Sequence, residues 1–156
     1  INAQQVEWLY PKLSSLEQSG DDSSVITSGE IKSLYSDIHP MINLNGGEIQ
    51  RYGETAPELV DCDIQSLPLL YKSDKLYKKA VMLRIRITQP ADFQQKIDLA
   101  RMNAFEGLKY ICFLVSFDSC PGDAGKNACV PDKVNKMIQN SSGKSLLFLA
   151  VAEIPE

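Results

Sequence analysis

Two strand-length runs in the second half of the chain are apolar at almost every position. Residues 110–117 read Tyr-Ile-Cys-Phe-Leu-Val-Ser-Phe, and residues 146–152 read Leu-Leu-Phe-Leu-Ala-Val-Ala. A strand that is apolar on both faces is typical of the centre of a sheet that is covered on both sides. The two runs therefore predict an α/β domain with these segments as central strands.

The segments around these runs predict a β-α-β-α-β unit. In residues 77–87 every second residue from Tyr77 is apolar except Lys79, and the other face carries Lys78, Arg84 and Arg86, which is typical of a strand with one buried face. Pro90 and Asp92 open a predicted helix over residues 90–108, with Phe93 on its apolar stripe, and residues 131–139 predict a short helix ending before Gly143. Strands joined through helices favour parallel crossovers.

The first 40 residues are predicted to be mainly helical and to pack on the sheet. Apolar residues recur at helical spacing in residues 6–16, with a kink expected at Pro11. A second helix is expected from the capping-box spacing of Thr27 and Glu30, and it ends at His39-Pro40.

The middle of the chain predicts antiparallel strands, which make the expected sheet mixed. Residues 41–44 and 48–52 flank Asn45-Gly46, a strong hairpin signal. Residues 54–65 are expected to form a loop or a short helix, and residues 67–71 a strand. We expect one α/β (or α+β) domain over 1–156, with helices in 1–40, hairpin and strands in 41–88, and α-β-α-β in 89–156.

The charge distribution argues against a nucleic-acid-binding protein. The chain has a net charge of −4; residues 1–63 carry −8 and residues 64–156 carry +4. Binding to nucleic acid needs clustered Lys and Arg on a basic domain. No segment has 18 consecutive apolar residues, so no transmembrane segment is expected.

The four cysteines favour disulfides over thiol or zinc chemistry. Cys120 and Cys129 bracket a turn-rich loop that a disulfide would close, and Cys62 and Cys112 would be a second pair or two buried thiols. Their spacing does not fit a zinc site. Together with Ile1-Asn2-Ala3, which resembles the tail of a signal peptide, this usage favours an exported, extracytoplasmic protein.

Motifs for catalysis and for cofactors are missing from the sequence. His39 is the single histidine, so any Ser-His-Asp or Cys-His site would have to use it, and its place at a helix end is a sufficient structural reason for it. Gly143-Lys144-Ser145 lacks the earlier glycine of a phosphate-binding loop, since Ile138 stands there. We therefore expect no catalytic residue, metal or cofactor.

Two segments remain as candidate binding sites. The loop after residues 110–117 leaves the carboxyl end of a central strand, where α/β sheets bind ligands; its candidates are Asp118, Asp123, Lys126 and Asn127. The basic strand offers Lys78, Arg84 and Arg86. The leading expectation is an exported binding or accessory domain that recognises a protein partner. The alternative is a small hydrolase that uses the carboxylates of the Asp118–Asn127 loop. The oligomeric state stays open.

Overall fold

The structure is a computed structural model that describes residues 4–120, 122 and 127–154. Nine strands lie within these residues: β1 (Val6–Trp8), β2 (Met41–Asn45), β3 (Glu48–Tyr52), β4 (Leu59–Asp63), β5 (Met82–Ile87), β6 (Ile97–Asp98), β7 (Tyr110–Val115), β8 (Ile138–Gln139) and β9 (Leu147–Ala152). Seven of these form one sheet in the order β1-β9-β7-β5-β4-β2-β3, and β6 pairs with β8. The chain is a single α/β domain.

The large sheet is mixed, as the sequence predicts. All of its neighbouring strands run parallel except β2 and β3, which form an antiparallel hairpin. The successive strands β5, β7 and β9 lie side by side and parallel, which confirms the predicted crossovers. The unit between them is less helical than expected.

Two apolar cores cover the two faces of the sheet. Helices α1 (Leu9–Glu17) and α2 (Asp22–Ser36) bury Leu9, Leu13, Ile31 and Leu34 on one face. The connecting segments and helix α3 (Val130–Asn135) cover the other. The sequence of β7 is apolar at successive positions because each of its two faces packs against a core. Ile111 and Phe113 belong to one core, whereas Tyr110 and Cys112 belong to the other.

The helix predicted over residues 90–108 is wrong. The segment contains two short 3₁₀ helices, Pro90–Gln94 and Leu99–Arg101, separated by β6. The Asp92 carboxylate accepts hydrogen bonds from the backbone N–H groups of Thr88 and Gln89. Such local bonds from aspartate compete with a regular helix. Of the apolar residues that suggested a helical stripe, this segment buries Phe93 and Ile97, whereas Ala100 is exposed.

Two expectations for residues 54–71 are also wrong. Residues 59–63 of the expected loop form β4 instead, and all residues of this strand except the last are buried. The expected strand at 67–71 lies in a 3₁₀ helix, Ile64–Tyr71, and Asp63 caps it by accepting a hydrogen bond from the N–H of Ser66. The aspartate therefore ends the strand and starts the turn.

Further boundaries differ elsewhere. The first residues form β1 before α1 begins, and Pro11 lies in the first turn of α1, where a proline is tolerated. The second helix is capped by Asp21 through the N–H of Ser23, well before Thr27. Two predicted elements are shorter than expected: the strand at 77–87 begins at Met82, and the helix at 131–139 ends at Asn135.

The hairpin is confirmed, with its turn shifted by one residue. Asn45 pairs with Glu48, so Gly46 and Gly47 form the turn. Both glycines have positive φ, 60° and 81°, which favours glycine. The backbone N–H of Gly46 donates to Asp63 Oδ2 at 2.9 Å, which ties the turn to β4. Asn45 thereby becomes the last residue of β2.

Candidate functional site

A groove lies at the carboxyl ends of β5 and β7, where the sequence predicts a binding loop. We call it the lysine groove; its volume is 460 Å³, and its lining residues are Pro90, Phe93, Gln94, Lys96, Phe117, Asp118, Ser119, Lys133 and Lys136. Pro90 and Phe93 follow β5, whereas Phe117 to Ser119 follow β7. The strand ends of a parallel sheet therefore meet here.

A disulfide fixes one wall of the lysine groove. Cys120 and Cys129 are bonded, with their Cα atoms 5.8 Å apart, which confirms the predicted bridge. Asn127 is buried, has a φ of 53°, and accepts a hydrogen bond at Oδ1 from the N–H of Ser119. Asn127 therefore stabilises the conformation of this loop. Asp123 and Lys126 lie outside the described residues.

Lys133 joins α3 to the floor of the groove. Its Nζ donates to the backbone oxygen of Ser119 at 2.8 Å and lies 5.4 Å from the centre of the Phe93 ring. The Phe93 and Phe117 ring centres are 5.9 Å apart. Lys96 Nζ donates to the backbone oxygen of Lys136 at 2.9 Å. The groove combines two aromatic rings with three ammonium groups.

Asp118 is exposed at the rim of the groove. Its Oδ1 accepts a hydrogen bond of 3.5 Å from the N–H of Cys120, which is the geometry of an Asx turn. It is the sole carboxylate among the described residues that line the groove. A pair of carboxylates for general acid–base catalysis is therefore not found in this described part of the groove.

A second polar site lies on the helix-covered face of the sheet. Asp61 pairs with Arg84 across β4 and β5, and Arg86 lies two residues further along the same strand. The Nε atoms of both arginines lie 2.5 Å from the two carboxylate oxygens of Asp61. Asp61 is buried, and the arginine side chains are 20% and 29% exposed. One carboxylate thus holds two guanidinium groups.

The rest of each guanidinium group faces other acceptors. Arg84 Nη1 donates to the backbone oxygen of Tyr35, near the end of α2. Arg86 Nη2 donates to the side-chain oxygens of Asn43 and Asn45, at 3.3 and 3.2 Å. The orientation of both guanidinium groups is fixed in this way before any ligand arrives.

Lys78 does not join these two arginines. Because β5 begins at Met82, Lys78 lies before the strand, at the end of the 3₁₀ helix Lys75–Tyr77. Its ammonium group is 4.0 Å from the carboxylate of Glu106. The predicted basic strand therefore divides into two separate surfaces.

His39 lies in an arrangement that resembles a catalytic triad. Its Nδ1 is 2.7 Å from Glu58 Oε2, and its Nε2 is 2.9 Å from Ser33 Oγ. However, Nε2 is equally close to the backbone oxygen of Ser33, 2.9 Å away. The carbonyl end of a helix carries negative partial charge, which opposes an oxyanion. The geometry fits a structural role, in which His39 connects the carboxyl end of α2 to Glu58.

The remaining two cysteines do not form a second disulfide, so of the two expected alternatives the structure has the two buried thiols. Cys62 and Cys112 are free and buried. They belong to the cores on opposite faces of the sheet, so their side chains point apart. Burial raises the pKa of both thiols, which suppresses their reactivity.

The described residues contain neither a metal-binding cluster nor a membrane-spanning helix. Within the described residues, no group of three or more His, Cys, Asp or Glu side chains could hold a metal ion. The described helices are too short or too polar to cross a bilayer.

Sequence reasoning did not find Asp61 as the anchor of the arginines, or Phe93, Phe117 and the three lysines as one groove. The sequence signal for the groove was the position of Phe117 and Asp118, just after an apolar strand. The three lysines come from segments that meet only in the fold.

Comparisons with known proteins give no relative. No protein-family model matches the chain. Searches of curated proteins and of solved structures find no match either.

Proposed function

We propose that the chain is an exported recognition domain that binds a protein partner and has no catalytic role. The observation that carries this proposal is the pair of arginines held by Asp61 on a part of the sheet next to the exposed hairpin. The disulfide between Cys120 and Cys129 supports export, because such bonds persist in oxidising compartments.

The proposed contact surface is the helix-side face of the hairpin and its neighbours. We call it the arginine face; it comprises Asn43, Asn45, Glu48, Gln50, Tyr52, Arg84 and Arg86. The strand register places them together, because Asn43 lies opposite Gln50, Met41 opposite Tyr52, and Asp61 opposite both Asn43 and Arg84. Every residue of β3 is exposed. The surface is therefore accessible to a partner.

The chemistry of the arginine face fits a protein partner. Arginine and tyrosine are enriched among the residues that dominate protein interfaces. Two guanidinium groups share the carboxylate of Asp61, and the carboxylates of Glu48 and Asp63 lie on the same face, Asp63 being engaged by the N–H groups of Gly46 and Ser66. Arginines whose geometry is fixed beforehand lose less side-chain entropy on binding.

The test uses a photo-crosslinker placed on the arginine face in the producing organism. Gln50→p-benzoylphenylalanine puts the probe on this face, and Arg51→p-benzoylphenylalanine puts it on the other, because successive residues of a strand alternate. We expect one protein to be crosslinked from position 50 and not from position 51. Arg86→Gln should abolish the crosslink, whereas Arg51→Gln, a matched loss of one charge, should keep it. Absence of a crosslinked protein, or a crosslink that survives Arg86→Gln, would overturn the proposal.

A further inference from the structure

We infer that the lysine groove binds a small amphipathic anion, an aromatic or aliphatic carboxylate, independently of the arginine face. The groove of 460 Å³ is of the size that accommodates a small organic molecule. It lies at the carboxyl ends of β5 and β7, whereas the arginine face lies on a face of the sheet beside the hairpin. The two sites can therefore be tested separately.

The charges of the groove select an anion. Lys96, Lys133 and Lys136 line it together with one carboxylate, Asp118. The described lining thus carries two more positive than negative charges. Lys133 and Lys96 each donate to a backbone oxygen. An ammonium group has three N–H donors, so each of them can also bind a ligand carboxylate.

The aromatic residues of the groove select the apolar part of the ligand. Phe93 is buried, and Phe117 is partly exposed beside it with its ring centre 5.9 Å away. Pro90 continues this apolar lining. A ring or short alkyl chain that covers Phe117 would place an attached carboxylate toward the lysines. Aromatic rings prefer such offset or edge-to-face contacts.

The support of the groove is rigid, which favours a ligand site over a solvated surface. The bond from Lys133 to Ser119 joins α3 to the segment after β7, and the adjacent disulfide joins the same two segments. Ser119 is itself buried. A site whose walls are already connected loses little entropy when a ligand binds.

The test is a titration of the whole chain with three probes of one shape, followed by backbone amide NMR. Phenylacetate carries a negative charge, 2-phenylethanol carries none, and 2-phenylethylamine carries a positive one. We expect phenylacetate to give saturable shifts at Phe93, Ser119 and Lys133 with a roughly millimolar dissociation constant, and the other two to bind about tenfold more weakly.

Matched variants separate the groove from general charge effects. Lys96→Gln combined with Lys136→Gln should weaken phenylacetate binding about tenfold, because two exposed ammonium groups are lost. Lys78→Gln combined with Lys79→Gln removes the same charge outside the groove and should leave binding unchanged. Equal binding of the three probes, shifts that do not saturate, or equal effects of the two double variants would overturn the inference. The arginine-face variant Arg86→Gln should still bind phenylacetate.

Discussion

Asp61 and Arg84 lie directly opposite each other in the parallel pairing of β4 and β5, with the Arg84 Nε atom 2.5 Å from Asp61 Oδ2. The other carboxylate oxygen holds Arg86 at the same distance. The buried carboxylate of Asp61 therefore holds two arginine side chains that are partly exposed. Its loss should affect stability as well as binding.

Asp61→Asn should destabilise the protein by about 2–3 kcal/mol. The substitution leaves two largely buried guanidinium groups without their carboxylate, and removal of one partner from such a cluster is costly. Urea unfolding, followed by the fluorescence of the single tryptophan, Trp8, measures the change. Asp118→Asn is the control; it removes an exposed carboxylate and should change stability by no more than about 0.5 kcal/mol. Equal stability of the two variants would show that the cluster does not support the fold.

The two free thiols give a prediction about reactivity and compartment. Because Cys62 and Cys112 are buried and burial raises their pKa, neither should react with iodoacetamide in the native protein. After denaturation without reductant, intact mass should show two alkylated cysteines, and with reductant it should show four. Complete protection without reductant would mean that these two thiols are paired. Four reactive thiols in freshly isolated protein would contradict the disulfide and the argument for export.

The raised pKa of Tyr77 predicts that the protein loses stability at alkaline pH. It is almost fully buried, and burial, with a smaller effect of Asp74, raises its pKa from 10.0 to about 12. The unfolded chain thus releases the phenol proton first. The stabilising contribution is fully present below about pH 10 and is lost as the pH rises to about 12. Burial also raises the pKa of Tyr35 and Tyr110, so their effects have the same sign.

Tyr77→Phe isolates this contribution from the other groups that titrate there. The Tyr77 hydroxyl donates to the backbone oxygen of Leu69 at 2.9 Å, so the variant should be about 1 kcal/mol less stable at neutral pH. Above pH 10 the wild-type protein should lose up to about 1.4 kcal/mol per pH unit relative to the variant, so the difference should shrink and then change sign. Urea unfolding at a series of pH values measures both slopes. Parallel slopes would mean that Tyr77 does not titrate differently in the two states.

Local sequence patterns predicted the central strands of the fold. They failed where the structure of a segment depends on contacts with distant segments. The apolar runs of β7 and β9 and the glycines after Asn45 each indicate their element without reference to the rest of the chain. Strand β4 was missed because Asp61 and Asp63 make its sequence look like a loop. Asp61 is tolerated there because arginines from β5 neutralise it, and a pattern within β4 contains no sign of them.

The same limit applies to the candidate sites. Asp118 was expected after a central strand, and the structure places it there, at the rim of the groove. Lys133 could not be assigned to that groove from sequence, because it reaches Ser119 only through the position of α3. Arg84 and Arg86 alternate with apolar residues, which predicted their shared face. The sequence could not show that Lys78 lies outside the strand.

The cluster of Ser33, His39 and Glu58 predicts a structural role that differs measurably from catalysis. His39→Ala should destabilise the protein by about 1–2 kcal/mol, because it removes contacts to Glu58 and to the carbonyl end of α2. Ser33→Ala keeps the backbone oxygen that faces Nε2, so it should cost less than about 0.5 kcal/mol.

A fluorophosphonate, which labels activated serines, should leave Ser33 unmodified in the native protein, with intact mass as the readout. Labelling of Ser33 that disappears in His39→Ala and in Glu58→Gln would show instead that the three side chains activate a nucleophile. The enzyme alternative would then apply to this cluster and not to Asp118, because the hydroxyl of Ser33 already lies 2.9 Å from the imidazole that would accept its proton.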